Sequence, residues 1–203
     1  VGESLEGLAG RNLAPVFEEM HREAEARKFP IVGPQVGRLF YQIARLKQPK
    51  RILELGSGFG YSAIWFALGY PDTKLEGTEF KESNIKQAHA YANVAGVGGN
   101  IVIHQGDALE LARVMEPPWD LIFCDIDKHQ YPEAYETAKK RLSPGGVLLF
   151  DNVLWKGKVA RPASEADEAT RGVLELNQRA FADEEMEASI LPVRDGVLMC
   201  VKR

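Results

Sequence analysis

The segment Arg51-Ile-Leu-Glu-Leu-Gly-Ser-Gly-Phe-Gly-Tyr-Ser62 decides the fold that this sequence predicts. It begins with an apolar run short enough for a buried strand. Three alternating glycines follow, and residues 61–68 are then predicted to form a helix. A strand, a glycine turn and a helix in this order let a ligand approach the backbone at a helix N-terminus. Glycine is needed there because a Cβ atom would obstruct both the turn and the ligand.

The rest of the chain alternates between predicted strands and helices. Strands are predicted at 75–79, 101–104, 119–124 and 146–150, and helices at 81–95, 108–114, 131–142 and 165–182. The last apolar runs, 187–191 and 197–201, flank the hairpin-turn sequence Arg194-Asp195-Gly196. This pattern predicts an α/β, Rossmann-like fold: a mostly parallel seven-stranded sheet with helices on both faces and a C-terminal antiparallel hairpin.

The N-terminal part is predicted to be helical. Residues 1–28 place Leu13, Val16, Phe17 and Met20 on one face. A break with two prolines and a glycine follows at residues 29–34, before a second helix at 35–46. We therefore expect a single domain over residues 1–203, with a helical cap at 1–48 and an α/β core at 49–203. The first segment could cover one end of the fold or pair with a second subunit.

Composition limits the classes of function. The 203 residues carry a net charge of −4, which implies no general affinity for nucleic acids or anionic membranes, although a local basic patch is not excluded. The two cysteines, Cys124 and Cys200, lie in apolar runs, as expected of buried thiols in a reducing compartment. No run approaches the ~20 apolar residues of a membrane span. The first residues lack the features of a signal peptide, so we expect a cytoplasmic protein.

The glycine spacing indicates which kind of ligand fits the turn. A dinucleotide fingerprint is G-x-G-x-x-G, whereas this turn is G-x-G-x-G with Glu54 in the strand before it. Glu54 would repel an anion and attract an ammonium group. This spacing and the terminal hairpin argue against an NAD-dependent dehydrogenase. The alternative is an ordinary tight turn, because glycine-rich turns recur on many folds.

Further polar residues follow the second and third predicted strands. Glu79 could accept two hydrogen bonds from a ribose diol, or it could be an acid favoured by the dipole of the next helix. Asp107 and Ala108 follow the third strand. Asp107 is also explained by capping of the following helix.

The fourth and fifth predicted strands end in the most informative cluster. Asp125, Asp127 and Lys128 follow the fourth strand, and Asp151-Asn152 follow the fifth. Carboxylates crowded at neighbouring strand ends would repel each other unless a cation lay among them, and oxygen ligands suit Mg²⁺ or Ca²⁺. A lysine beside a bound metal has its ammonium form disfavoured, so it could act as a general base. The alternative is that the aspartates cap strand ends and Lys128 is a surface charge.

These motifs resemble a known family. The sequence E-L-G-S-G-F-G-Y-S resembles motif I of the class I methyltransferases that use S-adenosylmethionine. The pattern Asp125-x-Asp-Lys128-x-x-Tyr131 with Asp151-Asn152 resembles the cation-dependent O-methyltransferases, which include catechol and caffeoyl-CoA O-methyltransferases. The similarity runs from about Pro30 to the C-terminus.

The resemblance implies roles for individual residues. Asp125, Asp151 and Asn152 match metal ligands, and Lys128 matches the catalytic lysine; Asp127 is not expected to be a ligand. The cation is expected to be Mg²⁺, with Mn²⁺ and Ca²⁺ as alternatives. The predicted contacts to S-adenosylmethionine are Glu54, Gly56, Ser57, Gly58, Gly60, Tyr61, Ser62, Glu79, Asp107, Ala108 and Asp125.

The function implied is methylation of one hydroxyl of a catechol-like acceptor. The cation would act as Lewis acid and template, and Lys128 would take the hydroxyl proton before the oxygen attacks the S-methyl group. Tyr131 and Trp155 could line the acceptor pocket or be packing residues. The resemblance also implies a homodimer. The alternative function is methylation of 5-hydroxyuridine in transfer RNA through the same metal site.

Overall fold

The computed structural model describes residues 14–203. Its strands are β1 (Arg51–Leu55), β2 (Lys74–Glu79), β3 (Ile101–Gln105), β4 (Trp119–Cys124), β5 (Leu142–Asp151), β6 (Met186–Leu191) and β7 (Val197–Lys202). Its α-helices are α1 (Ala14–Arg27), α2 (Gly33–Lys47), α3 (Tyr61–Gly69), α4 (Glu82–Val94), α5 (Ala108–Val114), α6 (Tyr131–Arg141) and α7 (Glu168–Ala182). Short 3₁₀ turns lie at Gly98–Asn100, Lys128–Gln130, Trp155–Ala160 and Ala163–Glu165.

The strands form one seven-stranded sheet in the order β3-β2-β1-β4-β5-β7-β6. Strand β1 pairs parallel with β4, β2 with β3, and β4 with β5. The last two strands differ, because β7 pairs antiparallel with both β5 and β6. The predicted fold class, including the C-terminal hairpin, is confirmed.

The chain divides into two compact units. The first contains residues 14–50 and 57–105, and the second contains residues 51–56 and 106–203. The sequence-based prediction of a single domain with a helical cap stays a prediction.

In the first unit, aromatic packing connects the N-terminal helices to α3. Phe17 of α1 stacks on Trp65 at 4.3 Å between ring centroids, and Phe40 of α2 stacks on Phe66 at 4.5 Å. Both phenylalanines are fully buried, and Phe17 lies on the face that the sequence predicted to be apolar. Leu13 and the rest of residues 1–13 lie outside the described residues.

In the second unit, two element boundaries differ from the sequence-based prediction by more than one residue. Strand β5 begins at Leu142 rather than at residue 146, because Leu142 pairs with Trp119 of β4. The next pair is Leu121 with Val147, so the register shifts between the two pairs, and Pro144 and two glycines lie in the shifted segment. Helix α7 begins at Glu168 because Asp167 caps it, accepting a 2.7 Å hydrogen bond from the Thr170 backbone N–H.

The core of the second unit contains both cysteines. Cys124 and Cys200 are fully buried free thiols, as predicted. Burial raises the pKa of the Cys200 thiol to about 12. Among residues 14–203, no helix is both long and apolar enough to cross a membrane.

Candidate active site

The end of β4 lies against the glycine turn that follows β1. The Asp125 backbone N–H donates to the Leu55 carbonyl at 2.9 Å, which continues the parallel pairing by one residue. Gly56 adopts φ +89°, and a Cβ atom there would lie 2.5 Å from the Asp125 carbonyl oxygen. Glycine at position 56 is therefore required by the protein itself, and it lets Asp125 approach the turn.

Lys128 lies in the short turn after β4 and is almost completely buried. Its Nζ donates to Asp125 Oδ1 at 2.7 Å, to the Tyr131 hydroxyl at 2.8 Å and to the Ile126 carbonyl at 3.2 Å. An ammonium group has three N–H donors, so all three have acceptors here. The predicted surface-charge alternative for Lys128 does not describe this environment, because its side chain is only 9% exposed.

Asp151 and Asn152 lie at the end of β5. The Asp151 side chain is buried, and burial, followed by repulsion from the Asp125 charge, raises the pKa of its carboxyl well above the ordinary value. A hydrogen bond from the Asn152 backbone and the charges of Lys128 and Arg194 oppose that increase. Asn152 adopts φ +60°, a conformation that asparagine tolerates better than most residues. Two carboxylates and an amide side chain therefore belong to residues at the ends of the neighbouring strands β4 and β5.

The β6–β7 hairpin holds the loop that follows Asn152. The Val153 N–H donates to the Gly196 carbonyl at 3.1 Å, and the Leu154 N–H donates to the Asp195 carbonyl at 2.9 Å. The Lys156 N–H donates to Asp195 Oδ1 at 2.5 Å. Sequence reasoning assigned Asp195 and Gly196 only to a hairpin turn. Their support of this loop depends on the antiparallel pairing of β5 with β7, which places Val197 opposite Asp151.

Gly172 is a further residue that sequence reasoning did not single out. It lies in α7, where a Cβ atom would overlap the Lys128 carbonyl oxygen and would lie 2.8 Å from His129 Cα. The helix thus packs directly on the backbone of the turn that carries Lys128. The available signal was a glycine inside a predicted helix, which costs helix stability and so suggests a packing reason.

Five predicted cofactor residues, at positions 57, 58, 60, 61 and 62, lie in and directly after the glycine turn. The Ser57 N–H donates to the Thr78 carbonyl at 2.8 Å, and the Gly60 N–H donates to the Ser57 carbonyl at 2.9 Å. Gly58 lies against Phe29 and Gly60 against Ala88, so both glycines have packing reasons besides any ligand. Tyr61 and Ser62 begin α3 and are buried; the Tyr61 hydroxyl lies 2.8 Å from His21 Nε2. The cofactor roles of these residues stay predictions.

Two of the four remaining predicted cofactor residues, Glu79 and Asp107, have hydrogen-bond partners in the protein. Glu79 Oε1 accepts a 2.8 Å hydrogen bond from the Lys81 N–H. Asp107 Oδ1 accepts from the backbone N–H groups of Leu109 and Glu110, both at 2.9 Å, so the capping role considered for it is present. Ala108 begins α5, and Glu54 is fully buried in β1. Binding of S-adenosylmethionine by these four residues stays a prediction.

The donor chemistry at β4 and β5 fits a hard divalent cation. Within the described chain, no group of three or more His, Cys, Asp or Glu side chains could hold a metal ion. The predicted set has a different composition, because its third member, Asn152, has an amide oxygen in place of a carboxylate. Oxygen donors of this kind suit Mg²⁺, which usually retains several water ligands. The repulsion that raises the Asp151 pKa is also what a cation between the two carboxylates would relieve.

Comparison with known proteins shows the family to which this chain belongs. The family model described as O-methyltransferase matches residues 11–203. A catechol O-methyltransferase of Niastella koreensis is 33% identical over 165 residues, which cover 79% of this chain and 74% of that protein. A caffeoyl-CoA O-methyltransferase of Petroselinum crispum is 32% identical over 179 residues, covering 81% and 73%.

A solved O-methyltransferase structure also matches this chain. The O-methyltransferase TomG from Streptomyces achromogenes, involved in tomaymycin synthesis and crystallised with S-adenosylmethionine, is 28% identical with a TM-score of 0.82, covering 94% of this chain and 89% of TomG. The fold is thus that of the Rossmann-like methyltransferases. The chain belongs to the O-methyltransferase family, so the predicted family and the predicted S-adenosylmethionine-dependent O-methyltransferase class are confirmed. Dependence on a divalent cation stays a prediction.

Proposed function

We propose that this protein transfers a methyl group from S-adenosylmethionine to one hydroxyl of a catechol-like small molecule, with a divalent cation and with Lys128 as the base. The observation that carries the proposal is the buried Lys128 amine, which lies 2.7 Å from Asp125 Oδ1 and 2.8 Å from the Tyr131 hydroxyl, itself 2.8 Å from the Asp151 carbonyl oxygen. Family membership supplies the reaction class.

Three residues would hold the cation: Asp125, Asp151 and Asn152. When bound, the cation supplies Lewis-acid chemistry that lowers the pKa of a nearby hydroxyl and orients the acceptor. Asp151 contributes a carboxylate already removed from water, and the hairpin contacts of Asp195 and Gly196 limit the movement of the loop that begins at Asn152.

Lys128 would remove the proton from the acceptor hydroxyl. In the structure its three N–H groups are directed to Asp125, Ile126 and Tyr131, which describes the ammonium form. To act as a base, Lys128 must lose one proton and exchange one of these contacts for the acceptor hydroxyl. If Asp125 binds the cation, its carboxylate is no longer available to Lys128. The Ile126 carbonyl and the Tyr131 hydroxyl are not predicted cation ligands, so the contact with Asp125 is the one that the acceptor hydroxyl would replace.

The methyl transfer itself then needs no further reactant. The neutral Lys128 amine takes the hydroxyl proton, and the acceptor oxygen forms a bond to the methyl carbon while the carbon–sulfur bond breaks. The bonding electrons return to sulfur, which gives S-adenosylhomocysteine, and Lys128 later releases its proton to solvent. Orientation is the protein's main contribution, because the sulfonium is already a strong electrophile.

A labelled methyl-transfer assay tests this proposal. Purified protein is incubated with labelled S-adenosylmethionine and a panel of catechols, with Mg²⁺ or with a chelator. Parallel reactions contain transfer RNA with and without 5-hydroxyuridine. We expect label on a catechol only when Mg²⁺ is present. Label on RNA alone would replace the proposed acceptor with the RNA alternative, and chelator-resistant transfer would contradict the role of the cation.

Variants of the acidic residues test the assignment of the ligands. We expect D125N and D151N to reduce kcat by at least about 100-fold, because each removes a charged ligand of the proposed cation. S-adenosylmethionine affinity should stay within a few-fold of wild type in D151N. The matched control is D127N, since Asp127 is an exposed carboxylate of the same motif. Full activity in D151N, or an equal loss in D127N, would exclude this ligand set.

A further inference from the structure

Tyr131 is completely buried, so it does not line a pocket for the acceptor ring. Its ring packs edge-on against Phe150 with 4.9 Å between centroids. Its hydroxyl accepts from Lys128 Nζ at 2.8 Å and lies 2.8 Å from the Asp151 carbonyl oxygen. Core packing, one of the two roles that the sequence suggested for Tyr131, therefore explains its ring. Packing does not explain the contacts of its hydroxyl.

The direction of these hydrogen bonds is determined by chemistry. A carbonyl oxygen can only accept, so the Tyr131 hydroxyl proton is donated to Asp151, its nearer carbonyl partner; Cys124 is more distant at 3.4 Å. The hydroxyl can then only accept from Lys128. Tyr131 thus connects the Lys128 amine to the backbone of the strand end that bears Asp151.

This connection has two rigid ends. Asp151 pairs with Val197 in the antiparallel β5–β7 ladder, so the carbonyl that receives the Tyr131 proton belongs to a paired strand. Tyr131 itself begins α6, where its ring is fixed between buried residues. A long lysine side chain has four rotatable carbon–carbon bonds, and a fixed acceptor removes much of that freedom.

We propose that Tyr131 is a positioning residue: its hydroxyl holds the Lys128 amine at the strand ends that carry Asp125 and Asp151, in the place where the acceptor proton is removed. This inference rests on the proposed function of Lys128 as the base. It assigns to Tyr131 no contact with the acceptor or with S-adenosylmethionine.

The test is Y131F, which removes the hydroxyl and keeps the ring. We expect kcat to fall about 10- to 100-fold, because displacing a reacting group by roughly 1 Å reduces the rate by about that factor. KM for the catechol and for S-adenosylmethionine should change less than about threefold, because neither is in contact with Tyr131 in this proposal.

Tyr135 provides a matched control. It is also buried in α6 and near Phe150, with 6.4 Å between ring centroids, but its hydroxyl donates to Asp183 at 2.9 Å rather than contacting Lys128. Y135F therefore removes a tyrosine hydrogen bond from the same helix without changing the surroundings of the amine. We expect Y135F to keep wild-type kcat.

A double-mutant cycle with K128M tests whether Tyr131 acts through Lys128. In the K128M protein, Y131F should cause no further loss of residual turnover. The second readout does not depend on activity: in urea unfolding, the double variant should lose less stability than the sum of the two single variants. Additive losses in both measurements would overturn the proposal.

The remaining outcomes separate this inference from the proposed function. If K128M keeps wild-type kcat, Lys128 is not the base and the proposed mechanism fails. If K128M is inactive while Y131F has wild-type kcat, the mechanism stands and the role of Tyr131 is excluded. A Y131F protein that does not fold, when Y135F does, would overturn the positioning role in favour of a purely structural one.

Discussion

At the scale of single residues, Gly172 gives the sharpest prediction about the site. Alanine usually stabilises a helix by about 1 kcal/mol relative to glycine. Here G172A should instead destabilise the protein by about 1–3 kcal/mol, because its Cβ atom would overlap the Lys128 backbone. Movement of that turn would also displace the Lys128 amine and reduce kcat. Urea unfolding and steady-state kinetics measure the two effects.

The control for this substitution is G99A. A Cβ atom added at Gly99 would meet no other atom within 4 Å, and this glycine has no positive φ, so alanine should be tolerated there. Wild-type stability and kcat in G172A would show that α7 does not constrain the Lys128 turn.

At the scale of elements, Asp183 connects α6 to the end of α7. Its Oδ2 accepts from Lys139 Nζ at 2.7 Å and from the Tyr135 hydroxyl at 2.9 Å. Burial raises the pKa of Asp183, but the hydrogen bonds from Lys139, Glu185 and Tyr135 outweigh it, so the net pKa lies below the ordinary value. D183N should therefore reduce stability near neutral pH by about 1.5–3 kcal/mol, the range for hydrogen bonds to charged groups.

The pH dependence of this contribution follows from the direction of the shift. A carboxyl whose pKa is lowered by folding stabilises the native state above its unfolded pKa of about 3.9 and loses that effect as pH falls through the folded pKa. The stability difference between wild type and D183N should thus be constant from about pH 5 to 8 and decrease below about pH 4. Urea unfolding at several pH values measures it, and a difference that grows on acidification would contradict the assignment.

At the scale of the whole molecule, ligands that bind only the native state should raise the melting temperature. A ligand at 100 times its Kd adds about 2.7 kcal/mol of stability. We expect Mg²⁺ to raise the Tm of wild type and D127N but not of D151N, whereas S-adenosylhomocysteine should raise the Tm of all three. Without Mg²⁺, D151N should melt above wild type, because the buried carboxylate repelled by Asp125 is gone.

Thermal melts with and without each ligand measure these shifts. A Mg²⁺-induced increase in D151N equal to that of wild type would place the cation elsewhere. A loss of the S-adenosylhomocysteine shift in D151N would mean that the substitution disturbs more than the proposed ligand set.

The sequence by itself determined the fold class and the edge of the sheet at which the proposed site lies. Strand-length apolar runs alternating with helical segments are a local property, and parallel strands necessarily bring their carboxyl ends to one edge of a sheet. For this reason Asp125, Lys128 and Asp151 could be identified from the sequence alone. The same local reasoning misplaced the start of β5, because the pairing of Leu142 with Trp119 depends on a neighbouring strand.

Only the tertiary structure decided how these residues are held. The hydroxyl of Tyr131 on Lys128, the packing of Gly172 on the Lys128 turn and the support of the Asn152 loop by Asp195 all depend on how separate elements pack. Sequence spacing does not encode such contacts, since they require the side-chain directions and distances produced when helices and strands come together. The sequence thus specified which chemical groups this protein carries, and packing specified their positions and partners.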